Sequence, residues 1–500
     1  MFRDELRHNV WNEIRQHDLR AFRRFLSDKV FAEAAALAAV KLGHSALALP
    51  QMVWLGIVGA IHTSKSFASI LQKTLKILED SSDWRPAALP KPSRKQPQRG
   101  RRKDKTKKKK SKHCPRGTSP THVTEEAFVQ ARQLMPLSFW AALLLILGQR
   151  FQEQHAARTR WKRFRLLALD GTTVSLPAWR RLRDHFGAAK NGKSKRRTQA
   201  RMVMLQLPLV RMPLRYVVGP VARGERTMAA ELLNSLCAND LVLLDAGFWS
   251  YGLFYQIHNQ KAFFAIRLSK QIRLHTLKRL GRGDRLVRWY RPTGPRWRQS
   301  GLPEHIDLRV VEYKIPGFRS SAVVTNVLSP KTASREDWVR LANETEAGDE
   351  RLGVGLYHRR WEIETTFCEL KVTQRMEGKL RGRTHQAVYY EIAAHVILYQ
   401  LIRWLIVEAA VEHGVDDPLR LSFKGALDEL NDMYEILITA TSERLEEVLL
   451  PRLLERIAEH YVLLRPGRHY PRPKDTKAKN RRRKKRKQTK KSRRLPCPQA

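Results

Sequence analysis

The sequence contains few cysteines and few acidic residues. Four cysteines occur, Cys114, Cys237, Cys368 and Cys497, and no two of them form a C-x-x-C pair. This arrangement argues against a disulfide-stabilised framework and against a zinc ribbon. Lys and Arg number 95 whereas Asp and Glu number 48, which gives a formal net charge of +47. Such an excess predicts a polyanionic partner, and nucleic acid is favoured over a membrane surface.

Long hydrophobic runs and an N-terminal export signal are also missing. The most apolar stretches, "FWAALLLILG" and "VILYQLIRWLIVEAAV", are either shorter than the roughly 20 residues of a membrane span or interrupted by Arg403. They are therefore predicted to be core helices. The chain opens with "MFRDELRHNVWNEIRQ", in which no apolar segment follows a charged one. We expect the protein to stay in the cytoplasm, associated with the nucleoid.

Composition divides the chain into folded and unfolded parts. With 42% hydrophobic residues it can bury a large core. Helical periodicity predicts an N-terminal helical, DNA-binding region over residues 1–85 and a C-terminal helical region over 414–465. Residues 86–122 and 466–500 are rich in Pro, Gly and basic residues, so they are predicted to be disordered. These two tracts either contact phosphates without sequence preference or serve only as solubility tails.

The remaining segment, residues 123–413, has the pattern of an α/β domain. An apolar strand in "RFRLLALDGTTVSLP" is expected to end on Asp170 and a Gly turn, and two further strand-like runs follow it. A helix then precedes a second apolar strand, "DLVLLDAGF", which ends on Asp245. The pattern predicts a sheet flanked by helices, with an insertion of strands over about 270–328. Each Asp is also compatible with an ordinary turn.

A later helix, "LYHRRWEIETTFCELK", mixes charged and apolar residues. At about 100° per residue, one face combines two cations, a carboxylate and a phenol: Tyr357, Arg360, Glu364 and Lys371. A second face is apolar: Leu356, Ile363, Phe367 and Leu370. The remaining polar positions are expected to point into solvent: Glu362, Thr366 and Glu369. The helix is either a surface helix with i,i+4 ion pairs or part of a site that holds a metal ion and phosphates.

The combination of acidic residues favours the second interpretation. Asp170 and Asp245 end separate hydrophobic strands, Glu364 lies beside cations, and the whole chain is strongly basic. Carboxylates from separate elements can hold two divalent ions roughly 3.5 to 4 Å apart, which activate a water or a 3′-hydroxyl. Oxygen ligands select Mg²⁺, so no histidine motif is needed.

These residues resemble the DDE insertion-sequence transposases of the IS-four type. Tyr357, Arg360, Glu364 and Lys371 have the spacing of the family's Y-R-E-K signature, and "LALDGTTVSLP" and "LVLLDAGFWSYGLF" look like its two Asp motifs. The 118 residues between Asp245 and Glu364 leave room for the β insertion of that family. The resemblance covers roughly residues 125 to 410 and implies a ribonuclease H-like core, a mixed sheet flanked by helices, with the insertion before the helix of the catalytic Glu.

The resemblance also implies a reaction and a set of roles. Asp170, Asp245 and Glu364 would ligate the catalytic metals, two Mg²⁺ ions with Mn²⁺ as a substitute. Tyr357, Arg360 and Lys371 would bind phosphates of the transposon end. Cut-and-paste transposition would proceed by nicking, hairpin formation and strand transfer, with double-stranded terminal inverted repeats and target DNA as partners and a homodimer joining two ends. The alternatives are a nuclease or resolvase without strand transfer and a domesticated, non-cutting DNA-binding protein.

Hairpin-forming relatives place a flipped base beside an aromatic residue of the insertion. The candidates here are Trp289, Trp297 and Trp338. For each of them taken singly, a structural role is the favoured expectation.

Overall fold

The computed structural model describes residues 22, 24–42, 47–64, 66, 69, 125–189, 197–269, 271–294, 301–314, 320–338 and 356–462. All of them belong to one compact unit, which comprises residues 1–344 and 353–462. The tracts predicted to be disordered, 86–122 and 466–500, lie outside the described residues, as does much of the 1–85 region.

One sheet organises the unit. Its strands are β1 (Arg160–Trp161), β2 (Phe164–Ser175), β3 (Ala188–Ala189), β4 (Arg197–Leu207), β5 (Met212–Pro220), β6 (Asp240–Leu244), β7 (Phe263–Arg267), β8 (His275–Gly281), β9 (Asp284–Tyr290), β10 (His305–Tyr313) and β11 (Ser321–Thr325). The order is β3-β4-β2-β6-β7-β11-β10-β9-β8, with β5 paired to β4 and β1 to β2.

The first part of this sheet has the ribonuclease H-like arrangement. Strand β4 pairs antiparallel with β2 and β5, whereas β6 pairs parallel with both β2 and β7. All five residues of β6, "DLVLL", are buried, as expected for a central parallel strand covered on both faces. The predicted mixed sheet flanked by helices is confirmed.

The insertion continues the same sheet. Strands β8 to β11 are antiparallel neighbours, and β11 pairs antiparallel with β7, where Val323 lies opposite Arg267. The β structure predicted for 270–328 is therefore present, and it extends the core sheet through β11.

The helices cover the sheet and form a second layer of core. They are α1 (Asp28–Leu37), α2 (Leu49–Ile61), α3 (Glu125–Leu134), α4 (Leu137–Gln154), α5 (Arg180–Phe186), α6 (Glu225–Leu233), α7 (Tyr251–Asn259), α8 (Glu362–Cys368), α9 (His385–Glu412), α10 (Phe423–Asp432), α11 (Tyr434–Thr439), α12 (Ser442–Arg444) and α13 (Leu450–Glu459). Helices α1 and α2, which precede the sheet, and α13, which closes the described chain, contribute to one hydrophobic cluster with the sheet and α9.

Helix α9 is the central helix of this layer. It is long and apolar enough to cross a membrane, but 94% of its most apolar window is buried inside the protein. The apolar run around Arg403 is thus a core helix, as predicted. Its polar side chains are partnered internally: Glu391 bonds Arg132 at 3.1 Å, and Gln400 donates to the carbonyls of Leu144 and Pro213.

Candidate active site

Parallel strand pairing brings the two aspartates together. Leu169 of β2 lies opposite Leu244 of β6, so the residues that follow them, Asp170 and Asp245, are neighbours at one edge of the parallel strands. Asp245 caps a short 3₁₀ turn by accepting a bond from the Gly247 amide at 3.1 Å. The predicted strand end at Asp170 is wrong, because β2 continues to Ser175.

The "DG" dipeptide stays extended because its backbone is paired. Gly171 lies opposite Val203 of β4 and the pairing runs on to Ser175. The side chain of Glu225, at the start of α6, approaches Gly171 closely, since a Cβ there would lie 3.0 Å from it. Glu225 thus brings a further carboxylate to this edge, and it had no recognisable signal in the sequence.

The segment that carries Glu364 is not one uniform helix. It consists of a 3₁₀ helix (Leu356–Trp361), α8 and a π-helix (Glu369–Thr373). The three helix types advance by different angles per residue, so faces assigned at 100° are only partly right. Ile363, Phe367 and Leu370 are buried as predicted. The side chains of Leu356 and Tyr357 lie outside the described residues.

The residues expected to face solvent do not do so. Thr366 is fully buried. The Glu369 side chain is only 13% exposed and bonds Arg211 at 2.9 Å, the Tyr399 hydroxyl at 2.6 Å and Arg403. Burial alone would raise the pKa of Glu369, but the two arginines hold it below its ordinary value. Glu362 also bonds Arg211, at 2.7 Å. The expectation of solvated carboxylates was wrong because Arg211 and α9 cover this side of the segment.

Arg360 lies at the centre of the predicted acidic triad. Its guanidinium is 3.1 Å from Asp170 Oδ2, 3.2 Å from Glu364 Oε1 and 3.6 Å from Asp245 Oδ1. Its side chain is only 3% exposed, so the interpretation of Arg360 as a surface charge is wrong. The structure thus brings together carboxylates from β2, from the end of β6 and from α8.

Burial and the neighbouring negative charges make the Asp170 carboxyl harder to ionise. The pKa of Asp170 is raised to about 6: burial is the largest cause and Asp245 and Glu364 act in the same direction, while the Gly171 amide and Arg360 act in the opposite direction. A carboxylate is harder to ionise when other negative charges are near and water is excluded. The site therefore carries more negative charge than one guanidinium neutralises.

The donor set suits a hard divalent cation. All three side chains offer carboxylate oxygens, which Mg²⁺ and Mn²⁺ prefer, and all three already surround one positive group. In the described ranges, however, no three acidic, His or Cys side chains converge closely enough to hold an ion in this conformation. The residues therefore fit a metal by their chemistry, and binding an ion would require their carboxylates to move closer together.

Lys371, in the π-helix, contacts β2 beyond Asp170. Its Nζ donates to Thr172 Oγ1 at 3.0 Å and to the Thr173 carbonyl at 3.3 Å, and it is 4.0 Å from Glu377 Oε2. Glu377 also accepts a bond from the Ser175 amide at 3.1 Å. Lys371 and Arg360 are thus held against the same strand of the sheet.

Strand register adds a cation that the sequence analysis missed. Leu244 of β6 lies opposite Ile266 of β7, so exposed Arg267 follows in line with Asp245. Because that alignment depends on long-range pairing, the sequence alone offered no signal for it.

The insertion tryptophans in the described chain are core residues. Trp289 is buried against Trp249, Tyr251 and Phe254, and Trp338 is buried against Trp161. Trp297 lies outside the described residues.

Comparison with known proteins finds one family whose model matches this sequence. Residues 161–401 match the model of a family described as Transposase DDE domain. The transposase InsG of insertion sequence element IS4 from Escherichia coli strain K12 is 26% identical over 274 residues, which are 52% of this chain and 58% of that relative. The chain therefore spans little more than half of that relative's length.

A solved structure, the piggyBac transposase synaptic complex with hairpin DNA, aligns with a TM-score of 0.36 and 10% identity, covering 92% of this chain and 88% of the other. A likeness this low supports no inference. The family match includes Asp170, Asp245 and Glu364. Residues 161–401 of this chain are thus similar to the transposase DDE domain family, and part of the chain is similar to the transposase of IS4.

Proposed function

We propose that this protein is a DNA transposase that cleaves and joins strands with metal ions held by Asp170, Asp245 and Glu364. The observation that carries the proposal is the convergence of these carboxylates, from three separate elements, on the buried guanidinium of Arg360. Isolated surface acids would not converge in this way. The family match over residues 161–401 supports phosphoryl transfer on DNA as the chemistry.

Each side chain then has a task in the reaction. When bound, two Mg²⁺ ions would activate the attacking water or 3′-hydroxyl and stabilise the leaving oxygen. Asp170, Asp245 and Glu364 would hold and orient them, with Mn²⁺ as a substitute. Arg360 and Lys371 would bind phosphate oxygens, Arg through a bidentate fork and Lys as a point charge. Tyr357 and Arg267 are further candidates for phosphate contacts.

The wider reaction is a proposal by analogy. The substrates would be the double-stranded inverted repeats of a transposon and its target DNA, bound in the cytoplasm by a homodimer that joins two ends. The cleaved ends would pass through hairpins. Because Trp289 and Trp338 are packed inside the protein, neither is suited to hold a flipped base without unpacking, which leaves Trp297 as the remaining candidate from the sequence.

A plasmid assay tests this function. A supercoiled plasmid that carries the ends of the element is incubated with the protein and Mg²⁺. Excision with integration supports transposition, cleavage alone indicates a nuclease or resolvase, and binding alone indicates a non-cutting DNA-binding protein.

Substitution of the triad is the sharper test. We expect Asp170→Asn, Asp245→Asn and Glu364→Gln each to lower the cleavage rate by on the order of 10³-fold or more, because losing a ligand removes several kcal/mol of transition-state stabilisation. DNA affinity, measured by gel shift, should change little.

The matched control for these variants is Asp184→Asn. The side chain of Asp184, on α5, is 67% exposed. It forms a surface ion pair with Arg180 at 3.8 Å. Its replacement should leave cleavage at the wild-type rate. Wild-type cleavage by any triad variant would remove that residue from the site.

A further inference from the structure

The carboxylates of the candidate site surround a cation that belongs to the protein itself. We propose that Arg360 is an internal counter-cation, which holds the triad in an open arrangement until a DNA phosphate draws its guanidinium away. Metal binding then depends on DNA binding. This inference rests on the proposed function and adds to it an order of events: phosphate first, metal second.

Distances show how the guanidinium holds the site open. Its nitrogens are 3.1, 3.2 and 3.6 Å from oxygens of Asp170, Glu364 and Asp245. Mg²⁺ requires oxygen ligands at about 2.0 to 2.1 Å in nearly octahedral geometry. An ion cannot reach these distances while the guanidinium occupies the space between the same oxygens, so Arg360 and the metal compete for the triad.

Exposure distinguishes this arrangement from a structural ion pair. Glu369, in the Arg211 and Arg403 network, is 13% exposed and its partners enclose it. In the triad, by contrast, Asp245 is 40% exposed and Glu364 is 56% exposed. Two of the three carboxylates are therefore accessible to an incoming ligand, although the arginine that joins them is buried.

The charges of the site favour replacement of the Arg360 guanidinium by a divalent cation. Three carboxylates carry two more negative charges than one guanidinium compensates, so the site attracts a divalent cation. A phosphate oxygen offers Arg360 the same charge-assisted, bidentate bonding that it now makes with carboxylates. Moving the guanidinium to phosphate leaves all three negative charges to the metal. By linkage, DNA that raises metal affinity is itself bound more tightly when metal is present.

The backbone at Arg360 provides a way to move. Arg360 lies in the 3₁₀ helix Leu356–Trp361, directly before α8. Hydrogen bonding is poorer in 3₁₀ than in α geometry, so this turn is held less firmly than α8. Extending α8 backwards over this turn would rotate Arg360 relative to Glu364 without disturbing the core below.

The experiment measures Mn²⁺ binding by the full chain, using the electron paramagnetic resonance signal of free Mn²⁺. In the absence of DNA, Arg360→Met should bind Mn²⁺ at least about tenfold more tightly than the wild type. The gain should vanish in Arg360→Met/Glu364→Gln. Arg180→Met, which removes an arginine paired with Asp184 on the surface rather than with the triad, is the matched control and should resemble the wild type.

A second measurement covers the case in which Arg360→Met does not fold. Wild-type protein is titrated with Mn²⁺ in the presence and absence of a 30-base-pair duplex, and the signal of the Asp170→Asn/Asp245→Asn/Glu364→Gln variant with the same duplex is subtracted. The duplex should raise Mn²⁺ affinity by about tenfold or more.

The outcomes separate this inference from the proposed function. Equal Mn²⁺ affinity of the wild type with and without duplex, or no gain in folded Arg360→Met, would overturn the role of Arg360 and leave the metal site intact. If no form of the protein binds Mn²⁺ through the triad, even with DNA, the proposed metal-dependent function fails as well.

Discussion

Glu364 and Glu369 are five residues apart on one segment, but 56% of the Glu364 side chain is exposed and only 13% of the Glu369 side chain. Glu364 shares one arginine with two aspartates, whereas Glu369 bonds two arginines and a tyrosine hydroxyl. An enclosed carboxylate with its charge balanced stabilises the fold. An accessible carboxylate in an acidic group is available for chemistry.

Glu369→Gln should therefore destabilise the protein by about 3 kcal/mol or more, because it leaves Arg403 as a buried, uncompensated charge and removes one of the two acidic partners of Arg211. Urea denaturation of each variant would measure this. Glu362→Gln is the comparison, since Arg211 keeps Glu369 as a partner, and it should cost less than half as much. Equal stability of Glu369→Gln and wild type would show that the buried network contributes nothing to folding.

The acidic triad was predictable from the sequence, but its surroundings were not. Asp170 and Asp245 each follow an apolar run, and Glu364 falls within a signature of fixed spacing, so all three were identified correctly as residues that lie together. The burial of Arg360, Thr366 and Glu369 could not be predicted, because it depends on helix type along the segment and on a distant arginine, Arg211.

At the scale of elements, the crossing of α2 over α9 attaches the N-terminal helices to the catalytic unit. A Cβ at Gly56 of α2 would lie 3.0 Å from both Ala394 Cβ and the Tyr390 hydroxyl, which donates to the Met52 carbonyl at 2.5 Å. The two helices thus approach closely, and the absence of a side chain at Gly56 permits it.

Gly56→Ala should destabilise the protein by about 1 to 3 kcal/mol, because the added methyl group overpacks a crossing with little room to relax. Gly252→Ala is a matched control: it adds the same methyl group to α7, where nothing lies within 4 Å. There alanine should leave stability unchanged or raise it slightly. Thermal melts of both variants measure the difference. An equal, small effect at both positions would contradict a close α2–α9 contact.

The C-terminal end of α9 carries a carboxylate that resists ionisation. Burial raises the pKa of Glu408 to about 7, with smaller contributions from Glu412 and Glu446, although Arg24 lies 3.2 Å away and acts in the opposite direction. A raised pKa in the folded state means that the stability contributed by this group is present below its ordinary value of 4.5 and is lost as the pH rises through about 7.

Glu408→Gln should therefore be more stable than wild type at pH 8, by on the order of 1 to 3 kcal/mol, and close to wild type at pH 4.5. Denaturation of both proteins across this pH range gives the difference, in which all other titrating groups cancel. Glu412→Gln, which alters an exposed neighbour, should show a much smaller pH dependence. A constant difference between Glu408→Gln and wild type would contradict the raised pKa.

Local sequence patterns predicted many of the elements, whereas features that depend on long-range strand pairing could not be predicted. Apolar runs and turn residues predicted most strands and the core helix around Arg403. The end of β2 was misplaced because "DG" is typical of a turn, and only pairing with β4 keeps it extended. The parallel alignment of β2, β6 and β7, which places Arg267 beside Asp245, is a long-range property that local periodicity does not encode.

At the scale of the whole molecule, charge is distributed unevenly along the chain. The described unit pairs many of its arginines internally, as Arg211 pairs with Glu362 and Arg309 with Asp284. The tract 466–500, by contrast, contains 16 Lys and Arg residues and a single acidic residue, Asp475. The tract lies outside the described residues, so its predicted disorder and its role in binding both stay predictions.

Deleting residues 466–500 should weaken binding to any DNA and flatten the dependence of log K on log[salt], because each lost phosphate contact lowers that slope by about 0.9. Fluorescence anisotropy with an unrelated duplex at several salt concentrations would measure both effects. A full-length variant with the tract in scrambled order keeps its charge and should bind like wild type, since counter-ion release depends on charge and not on sequence. An unchanged slope after the deletion would show that the tract does not contact DNA. If the scrambled variant binds DNA as weakly as the deletion variant, the amino-acid order of the tract matters and charge alone does not explain its binding.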